Sequence, residues 1–91
     1  MTLHAIHELS NSSATRLTTS GMHSGLSLTI QNISDEDTVY IGGEGVTSSA
    51  FGISLSPAAG ISVDLPNGND SLYAIGEASG SVIAVLTVSL N

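Results

Sequence analysis

Cysteine, lysine and tryptophan are all missing from this 91-residue chain. Without cysteine, no disulfide and no thiolate metal site can support the fold. Without lysine, Arg16 is the only permanent cation, set against Glu8, Asp35, Glu36, Asp37, Glu44, Asp64, Asp70 and Glu77. The formal charge of −7 argues against nucleic acid as a partner, because phosphate binding needs clustered Lys and Arg. The same charge argues against an anionic membrane surface. Aromatic residues number three, Tyr40, Phe51 and Tyr73, and are expected to anchor the core. No run approaches the ~20 apolar residues of a membrane-spanning helix. The N-terminus shows no basic region followed by an apolar stretch, so no secretory signal is expected. The sequons opened by Asn11, Asn32 and Asn69 then read as chance matches in a serine-rich chain.

What is abundant is hydroxyl. Ser and Thr together number 16 + 8 = 24, while charged residues make up only 10%. Such a surface has little side-chain entropy to lose on contact, which suits packing against neighbours. At this length there is room for one domain, burying only about 60–65% of its unfolded surface. Small folds without covalent staples often gain stability by oligomerising.

The hydropathy period is two. Leu26–Gln31 alternates strictly, and Ile61–Leu65 and Ile53–Leu55 repeat the pattern. That alternation marks half-buried strands. Val82–Val88 is a longer β-branched run and is expected as a central strand. Val39–Ile41 and Leu72–Ile75 are short apolar runs, each with one tyrosine. Leu3–Leu9 and Ala14–Thr19 complete the set. Turn signals separate them: Asn11–Ser13, Ser20–Gly25, Asn32–Thr38, Ser56–Gly60 around Pro57, Pro66–Asp70 and Glu77–Gly80. The expected fold is all-β, a small antiparallel β-sandwich or barrel of seven or eight strands. Residues 26–91 would form the β domain. Residues 1–25 would be an N-terminal arm or edge strands, and an arm could be deleted with 26–91 still folded.

No residue set assembles into chemistry. His4 and His7, three apart, point to opposite faces of a strand, and zinc wants three or four converging ligands. Asp35-Glu36-Asp37 lacks the later acidic positions and the glycine of a calcium loop, and reads as a solvated turn. Gly21-Met22-His23-Ser24-Gly25 is not a nucleophile elbow. Gly42-Gly43-Glu44-Gly45 lacks the Lys and Ser/Thr of a phosphate loop, and reads as a turn or bulge. No enzyme activity, cofactor or metal is expected. Tyr40 and Tyr73 are expected in the core with their hydroxyls at its rim, the alternative being exposed stacking groups.

From Asn32 to Leu86 the chain resembles a small β module of tailed-bacteriophage virion proteins, found in head decoration, fibre and tail-associated proteins. The resemblance is carried by Asn32-Ile33-Ser34-Asp35, Val39-Tyr40-Ile41-Gly42-Gly43, Val46-Thr47, Gly52-Ile53-Ser54-Leu55, Pro57-Ala58-Ala59-Gly60, Ile61–Leu65, Leu72–Ile75 and Val82–Leu86, in that order. It implies a structural protein of the virion, foremost a decoration (cement) protein on the capsid surface. The alternatives are a neck or tail component, or a carbohydrate-binding β module. The implied partners are the major capsid protein, other virion subunits and further copies of the chain, with a homotrimer favoured. Residues 1–25 lie outside the resemblance and hold His4, His7, Arg16 and His23, the only groups able to be positive. These four are the expected partner-binding residues, set against an acidic or neutral remainder.

Overall fold

The computed structural model describes residues 2–18, 25–65 and 71–89. They form an all-β protein, a small antiparallel sandwich of eight strands: β1 (Thr2–Leu9), β2 (Thr15–Arg16), β3 (Leu26–Asn32), β4 (Val39–Gly42), β5 (Ile53–Leu55), β6 (Gly60–Leu65), β7 (Tyr73–Gly76) and β8 (Ser81–Ser89). One sheet has the order β1-β8-β3-β6 and the other β2-β7-β4-β5. The pairings nest: β1 with β8, β2 with β7, β3 with β6, β4 with β5. A long double ribbon rolled over itself in this way is a jelly roll, which is one way a β protein limits its exposed edges.

Alternation decides which residues fill the space between the sheets. On β3, Leu28 and Ile30 point inward, and on β8 their neighbours are Thr87 and Val85. Across the gap, Val39 and Ile41 of β4, Leu55 of β5 and Ala74 of β7 meet them. Leu9, Leu17, Leu65 and Ile83 complete the cluster. The core is thus wholly aliphatic, which corrects the expectation that the three aromatic residues anchor it. Val39 and Ile41 claim the inward phase of β4, so Tyr40 between them must face out.

β8 lies between β1 and β3, and its pairing with β1 runs without a slip from Thr2↔Val88 to Leu9↔Ser81. The N-terminal segment therefore supplies an edge strand to each sheet, β1 to one and β2 to the other. Leu9 and Leu17 belong to the core, so deleting residues 2–20 would open it and strip β8 of a neighbour.

One polar residue ties the two layers together. Asn32, at the end of β3, is fully buried. Its Nδ2 donates to the carbonyls of Asp37 (2.8 Å) and Leu55 (2.9 Å), and its Oδ1 accepts from the Ser34 N–H (2.9 Å). Its main chain pairs with the next turn: Asn32 N–H donates to Ala59 O, and Ala58 N–H donates to Asn32 O, both at 2.9 Å. Ala59 N–H closes that turn onto Ser56 O, and Ala58 takes a φ of 71° behind Pro57. A type II turn requires this left-handed conformation at its third residue, here met without glycine. Asn32 is thus no glycosylation acceptor in the folded chain.

Candidate functional site

The four histidine and arginine positions expected to bind partners have different fates. His4 is exposed on the outer face of β1, opposite Leu86. His7 is half-buried on the inner side of the same strand, opposite Ile83. Arg16, on β2, pairs with Tyr73, and its Nε–H donates to Thr18 Oγ1 at 3.2 Å. His23 lies outside the described residues. The fold brings His7 and Arg16 to one hollow of about 320 Å³ lined by residues of β1, β2 and β8, with outward-facing His4 only at its margin. Its floor is apolar: Leu3, Ala5, Leu17 and Val85. The hollow exists because β2 has only two residues and cannot cover the inner side of the eight-residue β1.

A second hollow, also about 320 Å³, lies on the outer side of β1. His4, Ile6, Thr29, Gln31, Ala84 and Leu86 line it. It belongs to an apolar stripe along β8, whose outward residues are Val82, Ala84, Leu86 and Val88. Ile6 beside this stripe is 70% exposed, and Leu86 and Val88 are each more than a third exposed. The sequence carried a signal for this surface. Val82–Leu86 is apolar in both phases of its alternation, and a two-layer sandwich covers only one of them.

The outer face of the second sheet holds all three aromatic residues. Tyr40 stacks on Phe51 with ring centroids 4.8 Å apart and planes tilted by 43°. Tyr73 is half-buried between Arg16 and Gly42 in the strand order, and Phe51 is exposed. Ile75, opposite Tyr40, is buried on this face, outside the central cluster. Val46 folds back on the same face, its Cγ2 3.0 Å from where a Cβ on Gly42 would stand. Tyr40 and Tyr73 are therefore half-buried residues of the outer face, outside the aliphatic core, and not the core anchors expected from sequence.

The acidic stretch lies at the rim of another shallow hollow, with Ile33, Ser34, Gly80 and Val82 beside it. The Asp37 carbonyl is taken up by Asn32, and its carboxylate accepts a long bond from Ser81 Oγ at 3.4 Å. The glycine-rich stretch forms a turn closed by Val46 N–H donating to Gly43 O at 3.1 Å, with Gly45 at a φ of 95°. Among the described residues, no group of three or more His, Asp or Glu is placed to hold a metal ion. No helix of the described residues is long and apolar enough to cross a membrane.

No protein-family model matches the chain, and no curated protein matches it. Among solved structures it is similar to a chain from Bacillus endospore appendages, described as a novel family of disulfide-linked pili. The TM-score is 0.56 at 12% identity, with 100% of this chain and 87% of that chain covered. The likeness defines the class as a small β-sandwich of the same fold.

Proposed function

We propose that this protein is a non-enzymatic structural subunit that works by being built into a larger particle, specifically as a decoration protein on a phage head. The observation that carries this reading is the β1 side of the molecule. An eight-residue edge strand runs there with uncovered apolar surface on both its faces, at Ile6 and Leu86 outside and at Leu3 and Ala5 inside. Unpaired edges and contiguous apolar patches are surfaces that other chains cover. Hydroxyl side chains lie near them, and Arg16, the only permanent cation of an otherwise acidic chain, stands on this side with His4 and His7. Contact with an acidic capsid surface through this side would leave the acidic remainder facing solvent. The pilus chain supports the reading in one respect: it is an appendage subunit with the same fold. Its disulfide linkage has no counterpart here, because this chain has no cysteine.

The test is the copy number of this chain in purified particles. A coat on the head gives hundreds of copies, whereas a neck or tail part gives about three to a dozen, set by the symmetry of those rings. Ile6→Asp, at an exposed position, is expected to leave the fold intact and lower occupancy on the head at least tenfold. Full occupancy by Ile6→Asp would move the contact away from β1. Absence of the chain from particles would defeat the virion reading.

A second reading has its own observation, the Tyr40–Phe51 pair on the outer face of the second sheet. Stacked rings on a sheet surface can hold the apolar face of a sugar. If they do, glycan-array signals vanish in Phe51→Ala while its melting temperature stays within a few degrees of the parent. An empty array removes this reading.

A further inference from the structure

We propose that β1 is a self-association edge, pairing antiparallel with β1 of a second copy about a two-fold axis at Ile6. The two first sheets would then join into one of eight strands. This deepens the assembly reading above by naming the first partner as the chain itself.

The four sheet edges are unequal. β2 has two residues and β5 has three, too short to template much pairing. β6 begins at Gly60, carries Asp64 on its outer face and is followed in sequence by Pro66. Short length, an outward charge and a flanking proline are the devices by which natural edges resist pairing. β1 has neither the short length nor the proline, and its one outward carboxylate, Glu8, stands near its end and away from the exposed centre. It is eight residues long, holds no proline, glycine or lysine, and keeps an unbulged register with β8. Its centre carries Ile6, 70% exposed. Among the described residues, β8 is its only ladder neighbour.

Symmetry restricts the register. A two-fold axis normal to the sheet keeps outer face with outer face, so even-numbered residues of β1 meet even-numbered residues of the partner. Centred on Ile6, the pairing sets Ile6 against itself and His4 against Glu8 twice. On the inner face it sets Ala5 against His7 and Leu3 against Leu9. An imidazole N–H can donate to the carboxylate opposite, and the apolar pair sits between the two polar ones. Centred on Ala5, the same strands would set His4 against Ile6 and Thr2 against Glu8, which matches neither polarity nor charge. Centred on His7, the overlap shortens and Ile6 faces Glu8. Cross-strand pairs are the unit of sheet stabilisation, so the first arrangement is favoured. The joined strands would also continue the outer apolar stripe, Ile6 with Leu86 and Val88, across the axis as one surface.

The experiment uses the full chain in solution. Sedimentation over a concentration series is expected to show a monomer–dimer equilibrium. In this cysteine-free chain, Ile6→Cys puts one thiol on the axis, with Cβ atoms about 4.5–5.5 Å apart in the pair, close to disulfide reach. Under mild oxidation Ile6→Cys should cross-link to dimer at least tenfold faster than Ser62→Cys, an exposed position on β6. Faster cross-linking of Ala5→Cys would overturn the register. His4→Glu, which sets like charges opposite Glu8 twice, should weaken the dimer about two- to thirtyfold. His4→Glu with Glu8→His should restore it. Unchanged self-association in His4→Glu overturns the pairing, as does a monomer at all concentrations or a trimer. These outcomes are separable from the assembly reading. A monomer that still coats particles sinks only the β1 pairing, and a β1-paired dimer absent from particles sinks only the virion role.

Discussion

Replacing Asn32 with Ala is expected to destabilise the protein by about 3–4 kcal/mol, because three side-chain hydrogen bonds are lost and buried carbonyls are left without donors. The two donated bonds reach Asp37 and Leu55, one in the loop before β4 and one in β5, so the side chain spans both layers. For a domain of this size the melting temperature should fall on the order of 15–25 °C. Asn32→Asp should do worse at neutral pH. It removes both donors and places a carboxylate at a site with no solvent exposure. Thermal unfolding followed by circular dichroism measures both variants. An Asn32→Ala protein melting within about 3 °C of the parent would show that water replaces the amide, and that the node is not what ties the sheets.

The second large effect is at Ile83, fully buried on β8 between His7 of β1 and Asn32 of β3. Ile83→Ala should cost about 2–5 kcal/mol through lost burial and the cavity left behind. Leu86→Ala, on the opposite face of the same strand, should cost less than about 1 kcal/mol in the isolated chain. The contrast is the point of the pair. A slip of one residue in the register of β8 would exchange the two faces and reverse the order of the two variants. Chemical denaturation of both proteins reads this directly, and equal losses would contradict the assigned faces.

Much of the strand pattern was legible because period two is a local signal. Leu26–Gln31, Ile53–Leu55, Ile61–Leu65 and Val82–Val88 each announced a strand, and glycine, proline and asparagine marked the turns between them. The same local reading placed His4 and His7 on opposite faces of β1. At the aromatic residues it misleads, because large size suggests burial whereas the alternation of β4 places Tyr40 outward. The phase of β4 could have corrected this, since Val39 and Ile41 cannot share a face with Tyr40. It also passed over Asn32, counted as a turn residue. Nothing local distinguishes an asparagine in a loop from one whose carbonyl partners lie 5 and 23 residues away.

By itself, then, the amino-acid order determined an all-β chain of short alternating strands, acidic, unstapled, and without the clustered cations of a nucleic-acid protein. Each of these follows from composition or from neighbours within a few residues. The tertiary structure decided the rest: which strands pair, which long strand is left at a sheet edge, and how His7 and Arg16 come to line one hollow. The pairing of first strand with last joins residues almost a full chain length apart. Such contacts depend on how two sheets bury one shared aliphatic core, and no local period records that choice.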